Sequence, residues 1–249
     1  MRFNGSHIVV ERPGAEVRLL MFHHAGGSAM SYLPLARALP QECEPVLFEL
    51  SGRGMRPEVA PPGDFRAALD DLLPAVVSVV DRPVVVFGHS LGALLAHSLV
   101  SSLPAEQRKL VRAVVVSAFT SPTDALAEAD PLVVRSRAQL LAELESRGGC
   151  PPELFEDDEL REHAITLLGH DLHLADTYVV APPWDGDVDY HVWYGRQDEH
   201  LDVDAVERWE ASTPRPPVVR GFRGGHFYLD GGQEAKTALS RVVRSALHE

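Results

Sequence analysis

The sequence predicts an α/β fold, a mostly parallel sheet flanked by helices with one helical insertion. Three observations carry this. Short apolar runs alternate with helix-length segments along most of the 249 residues, the pattern of strands joined by crossover helices. Several runs are apolar throughout, as strands covered on both faces should be. The alternation breaks once, over residues 120–181, where only helical pattern is found.

The predicted strands cover residues 18–23, 45–50, 84–88, 113–118, 188–194 and 217–222. The predicted helices cover 31–39, 64–80, 91–103, 204–211 and 233–247. The insertion reads as further helices, in SRAQLLAELESRGG and ELFEDDELREHAITLLGHDLHLADTY. Gly148 and Gly149, then Pro151 and Pro152, stop one helix and start the next. A helical insertion between two core strands, at the carboxyl edge of the sheet, has the placement of a lid. The whole chain, 1–249, reads as a single domain carrying this lid.

Composition excludes several functions. The 45% hydrophobic and 24% charged shares are those of a globular protein. A formal charge of −13 argues against nucleic acid or an anionic membrane as the main partner. The insertion carries 13 Asp/Glu against 4 Arg, so −9 of that charge sits there. No apolar run approaches the ~18 residues of a membrane span. The opening MRFNGSHIVVERPG lacks the apolar core of a signal peptide. Cys43 and Cys150 lie far apart, in no metal-like spacing, and read as unpaired thiols of a reducing cytoplasm.

The strongest chemical signal is VVVFGHSLGALLAHSLV. An apolar strand runs into Gly88-His89-Ser90-Leu91-Gly92, and an apolar helix follows at once. This is G-x-S-x-G in the strand–turn–helix context of a nucleophile elbow, which resembles the α/β-hydrolase fold. Ser90 must sit on a sharp turn, where a side chain at either flanking glycine would crowd the backbone. The turn also sets Ser90 at a helix N-terminus, where amide donors favour negative charge.

A serine hydroxyl needs a base. In this fold the base follows the last strand, and FRGGHFYLDGG supplies His226 there, with Gly224 and Gly225 allowing the loop to bend. Of the other histidines, only His200 stands at a comparable strand end. The acid should lie between Ser90 and His226, to hold the imidazole in the right tautomer. VDYHVWYGRQDEHLDVD offers Asp198, with Glu199, Asp202 and Asp204 as rivals, and Asp204 is better used as the N-cap of the next helix. An oxyanion hole needs the amide after the nucleophile, Leu91, and one from the loop after the first strand. HHAGGS supplies the second, with the Ala25 amide as donor and His24 as a loop organiser.

Other polar clusters carry less. His23-His24 lacks the rest of a ligand set. His170, Asp171 and His173, with Asp176, read as a solvated or lid-packing helix face. The run Glu156 to Glu159 reads as a helix start. Arg53 and Arg56, in SGRGMR, admit two readings: binding an acidic group at the edge of the site, or solvating a turn.

FHHAGGSAMSYLPLARALP, SGRGMR, GHSLGALLAH, RGGCPPELF, YGRQDEHLD and GGHFYL resemble, in order and spacing, the type II thioesterases of polyketide and nonribosomal peptide synthesis. The resemblance covers nearly the whole chain. It implies Ser90 as nucleophile, Asp198 as acid, His226 as base, and the Ala25 and Leu91 amides as oxyanion hole. It implies no metal or cofactor. It implies as partner an acyl or peptidyl carrier protein, whose phosphopantetheine thioester is cleaved to edit stalled or misprimed synthases. The enzyme is expected to be cytoplasmic and a monomer. Leu140, Leu144, Leu167 and Leu168 are expected to face inward from the lid and set acyl-chain preference. Two positions depart from the family, where proline usually stands in place of His23 and Ser51. Carrier proteins are acidic, so docking on an acidic lid calls for a local basic patch, for which Arg12, Arg18, Arg53, Arg56, Arg135 and Arg137 are candidates. The alternatives are a carboxylesterase or acyltransferase acting on a small ester, or a non-catalytic binding protein on the same scaffold.

Overall fold

A computed structural model of the chain describes residues 1–149, 153–181 and 186–248. Cys150, Pro151 and Pro152, which figure in the sequence reading, lie outside the described residues. In chain order the elements begin with β1 (Arg2–Asn4), β2 (His7–Val9), β3 (Val17–Phe22), a 3-10 turn (Ala29–Tyr32) and α1 (Leu33–Arg37). There follow β4 (Cys43–Phe48), α2 (Phe65–Val79), β5 (Val84–His89), α3 (Leu91–Ser102), α4 (Ala105–Arg108) and β6 (Val111–Ser117). Four helices come next: α5 (Pro122–Glu128), α6 (Arg137–Arg147), α7 (Glu153–Glu156) and α8 (Asp158–Asp176). The chain closes with β7 (Asp189–Gly195), α9 (Val203–Glu207), β8 (Val218–Phe222), α10 (Tyr228–Gly231) and α11 (Gln233–Ser245).

The strands form one sheet in the order β1-β2-β4-β3-β5-β6-β7-β8. From β4 to β8 all neighbours are parallel; β2 joins β4, and β1 joins β2, antiparallel. From β3 to β7 both faces are buried, so each of these strands divides its side chains between two cores, whereas edge strand β8 starts exposed at Val218 and Val219. On β5, Val84 and Val86 join the core beneath α2 and α3, while Val85 and Phe87 join the one beneath α1 and α11. This two-sided burial is why these strands read as continuous apolar runs.

The six predicted strands are present, and two short ones were not predicted. β1 and β2 have three residues each, and β1 is exposed along its length. Strands so short carry no readable period. The predicted helix over 31–39 is instead the 3-10 turn followed by the five-residue α1, with Pro34 in its first turn. Asp204 does not cap the next helix. Asp202 does, its side chain accepting the Asp204 amide at 3.1 Å. α9 accordingly starts at Val203, and the Asp202 carbonyl accepts the Ala205 and Val206 amides.

Among the described residues of 120–181, every regular element is a helix, from α5 to α8. Asp157 starts α8, accepting the Glu159 and Leu160 amides, so the acidic run is a helix start. Leu140, Leu144 and Leu168 pack with Ala164 and Ile165 into a small core joining α6 to α8. Leu167 stands outside that core. These leucines hold the helical segment together, and Ala25 of the loop after β3 and Leu154 and Phe155 of α7 pack against the same cluster.

The six arginines offered as candidates for a basic patch are already engaged within the chain. Arg12 is buried and donates to the carbonyls of Ala36, Leu39 and Cys43. Arg18 pairs with Glu44 and Asp81, Arg53 with Asp171, Arg56 with Asp71, Arg135 with Asp176 and Arg137 with Glu162. Each cation already has an internal partner.

Candidate active site

The loops after β5, β7 and β8 carry Ser90, Asp198 and His226, and the ring of His89, next to Ser90, lies 5.3 Å from that of His226. Ser90 follows β5 and caps α3 with φ 54°, ψ −126°. Few non-glycine residues adopt this conformation. It is held by the Ser90 amide donating to the Ser117 carbonyl at 2.7 Å and by the Ala93 amide donating to the Ser90 carbonyl at 2.8 Å. The flanking glycines are required for space. A Cβ on Gly88 would stand 1.9 Å from the Gly92 carbonyl oxygen, and one on Gly92 would stand 2.3 Å from that of Phe22. The elbow therefore packs backbone against backbone, and the helix start presses directly on the end of β3.

His226 and Asp198 lie on two loops stitched to each other. The Gln197 amide donates to the Gly224 carbonyl at 2.9 Å, and the Gly224 amide donates to Gln197 Oε1 at 2.5 Å. Within this frame His226 Nδ1 donates to Asp198 Oδ2 at 2.8 Å, and the His200 amide donates to Asp198 Oδ1 at 3.1 Å. Both side chains are buried, whereas Glu199, His200, Asp202 and Asp204 are exposed. Burial works against the charged Asp198 carboxylate, but the hydrogen bond and charge of His226 more than offset it. Asp198 therefore titrates below the usual carboxylate range. Burial lowers the His226 pKa, Asp198 opposes this, and the nearby Arg147 guanidinium adds to the lowering.

Arg147, the last residue of α6, was not foreseen in the sequence. Its Nη1 lies 3.3 Å from His226 Nε2, while the same side chain pairs with Glu143. A guanidinium can only donate, so Nε2 is the acceptor and Nδ1 carries the proton. That is the tautomer a general base requires.

His89, at the variable position of the elbow, was likewise passed over. It is buried, with its ring 5.3 Å from that of His226 and 6.2 Å from that of His24. Its Nδ1 is 2.8 Å from Ser117 Oγ, which is 2.6 Å from the Tyr228 hydroxyl. Burial holds His89 well below the ordinary histidine range and takes His23 and His24 down to about 3. These rings around the site are neutral at physiological pH. No sequence signal marks His89, because a buried polar network depends on residues far apart in the chain.

The loop after β3 carries Ala25. His24 Nδ1 meets the Tyr32 hydroxyl at 3.0 Å, which fits its reading as loop organiser. His23, where proline is usual, is buried, with Nδ1 2.8 Å from the His24 carbonyl and Nε2 accepting the Leu50 amide at 3.4 Å. The histidine thus braces β3 against the end of β4. Ser51 is also buried. Arg53 neither solvates that turn nor stands free for an acidic ligand: it is buried in an ion pair with Asp171 of α8. The 170–176 cluster is therefore packing, with Asp171 and Asp176 each committed to an arginine. Asp171 was legible in part, since Ala164, Leu168, Asp171 and Ala175 share one helical spacing and put the acid on an apolar face.

Two cavities border these groups. One, of about 370 Å³, is lined by His226, Arg147, His200, Leu172 and Phe119 among others. A second, of about 380 Å³, is lined by His24, Tyr32, His89 and Phe227 among others.

A mostly parallel sheet with a serine elbow at the end of a central strand defines the α/β-hydrolase fold. Comparison narrows this further. Residues 17–246 match the thioesterase domain family, and the chain belongs to it. It is 31% identical to the thioesterase PikA5 of Streptomyces venezuelae, over 88% of this chain and 77% of that one. It is 30% identical to a probable cadicidin biosynthesis thioesterase of Streptomyces griseus, over 93% of this chain, but spans only 63% of that protein. Of the phenyloxazoline synthase MbtB of Mycobacterium tuberculosis it spans 16%. Among solved structures, the type II thioesterase BorB from the borrelidin biosynthetic cluster superposes with a TM-score of 0.82 at 29% identity. That match covers 99% of this chain and 100% of that one.

Proposed function

We propose that this chain is a type II thioesterase that releases acyl groups from the phosphopantetheine arm of acyl or peptidyl carrier proteins, an editing activity. The observation that carries the reading is Ser90, held at positive φ on a helix N-terminus, with its neighbour His89 5.3 Å from the ring of the His226 that pairs with buried Asp198. Membership of the thioesterase family and likeness to BorB over the full length of both chains support it. The whole chain acts as one domain, a monomer, with α5 to α8 as its lid. Its proposed place of action is the cytoplasm, where carriers are loaded.

Ser90 Oγ attacks the thioester carbonyl, and its proton passes to His226 Nε2. Asp198 holds the ring and stabilises the imidazolium. The amides of Leu91 and Ala25 receive the charge that develops on the carbonyl oxygen. The C–S bond breaks, and the proton on His226 returns to the departing pantetheine sulfur. Water then enters; His226 takes one proton from it as hydroxide attacks the acyl-serine. The free acid leaves as Ser90 regains its proton. Thiolate is a good leaving group, so the protein's main tasks are positioning and oxyanion binding.

The test is mass spectrometry of carrier proteins loaded with a panel of acyl groups, before and after addition of the enzyme. Loss of the acyl mass with the phosphopantetheine arm intact supports the reading. Faster cleavage of oxygen esters than of thioesters of the same acyl group overturns it in favour of an esterase.

A further inference from the structure

Asp171 of α8 is fully buried, 145 residues along the chain from the loop it grips. Its Oδ2 accepts the Gly26 amide at 2.7 Å and Arg53 Nη1 at 2.5 Å, and its Oδ1 accepts Arg53 Nη2 at 2.5 Å. Arg53 Nη1 also donates to the Gly27 carbonyl at 3.1 Å. One carboxylate and one guanidinium therefore hold consecutive residues of the loop, the amide of Gly26 and the carbonyl of Gly27. The peptide plane that follows Ala25 is fixed, and the Ala25 amide is only one pair of dihedrals away.

Stability alone does not account for this pair. A buried ion pair is often no better than well-packed apolar residues of the same volume. This one also leaves Arg53 Nε buried without a partner. What it supplies is direction, since a bidentate fork fixes both distance and plane.

We propose that Asp171 is the positioning residue of the loop that presents the Ala25 amide, so that the oxyanion hole is complete only while α8 is seated on that loop. The inference rests on the acyl-transfer reading given above. Through it, the same helix that roofs the site also sets the catalytic donor, which couples lid seating to turnover.

The experiment uses the full chain and three variants: Asp171→Asn, Arg53→Lys and the double change Arg53→Met/Asp171→Leu. Turnover of an acyl-pantetheine thioester is measured beside the affinities of two inhibitors. One is a trifluoromethyl ketone, which forms a tetrahedral oxyanion on Ser90; the other is an unreactive thioether analogue. Loss of one oxyanion donor typically costs about 10²–10³ in kcat. Asp171→Asn is expected to lower kcat by about 10²-fold with KM within about twofold. The ketone's affinity should fall in step with kcat, and the thioether's should not change. The double variant should regain thermal stability without regaining rate. Recovery of both Tm and kcat in the double variant overturns the proposal, as does equal loss of affinity for both inhibitors. If the wild-type chain cleaves only oxygen esters, the functional reading fails. The ketone comparison still decides this inference, because it needs only acylation chemistry at Ser90.

Discussion

His226 Nδ1 lies 2.8 Å from Asp198 Oδ2, and the other Asp198 oxygen is held by the His200 amide, so the carboxylate cannot turn away from the ring. Asp202 and Asp204, a few residues on, are exposed and committed to the start of α9. Asp198→Asn should lower kcat by about 10⁴-fold, through the wrong imidazole tautomer. Asp202→Asn should leave both rate and stability near normal, since asparagine caps a helix about as well as aspartate. Three single Asp→Asn variants, assayed in parallel, decide between them. A normal Asp198→Asn enzyme would remove the acid from the proposed triad.

Ser90→Ala should fold and lose about 10⁴–10⁶ of the rate. Circular dichroism and steady-state turnover check the two halves separately. Retention of a tenth of wild-type activity is incompatible with Ser90 as nucleophile.

Gly92→Ala tests the packing of the elbow. The added Cβ meets the Phe22 carbonyl at 2.3 Å, a backbone atom that cannot swing aside. Destabilisation of about 3 kcal/mol is expected, the upper end of the range for overpacking that forces backbone shifts. Urea unfolding measures it, and a cost under ~1 kcal/mol would mean that the turn yields more easily than the structure implies.

The pH profile tests Arg147. The reaction needs neutral His226, whose pKa lies below the ordinary histidine value, chiefly through burial, with Asp198 raising it and Arg147 lowering it further. The acid limb of kcat/KM should therefore fall below pH ~6.5 in the wild type. A nearby cation disfavours imidazolium, so Arg147→Met should move that limb to higher pH. An unmoved limb would show that the 3.3 Å contact does not persist in solution.

Chain-length preference is better tested at Leu172 than at the leucines singled out in the sequence. Leu140, Leu144 and Leu168 are buried in the α6–α8 core, whereas Leu172, packed against the edge of that core, also lines the cavity that holds His226. Leu172→Trp should depress turnover of long acyl groups by about tenfold or more relative to acetyl, the scale of a pocket contact. Leu144→Ala should instead cost about 2–4 kcal/mol of stability, with the loss of rate equal for all chain lengths. Equal loss across chain lengths in Leu172→Trp would mean that this cavity does not hold the acyl chain.

The sequence by itself determined the parallel sheet, the elbow and the order of Ser90, Asp198 and His226, because each is a local matter. Two-sided burial writes apolar runs, a tight strand–helix turn demands Gly88 and Gly92, and the proposed acid and base, Asp198 and His226, follow strands β7 and β8. It left β1, β2 and the cap at Asp202 unread, since elements of three to five residues have no period and their ends are set by neighbours. Tertiary structure alone decided what meets across the chain. It set Arg147 against His226, wove His89 into a network with Ser117 and Tyr228, and buried Arg53 against Asp171. It also buried Arg12 against backbone carbonyls and paired Arg18, Arg56, Arg135 and Arg137 with carboxylates. The reason is common to all of these. A charged or polar side chain carries no mark of its partner in the sequence, and a buried one is tolerated only where folding supplies that partner.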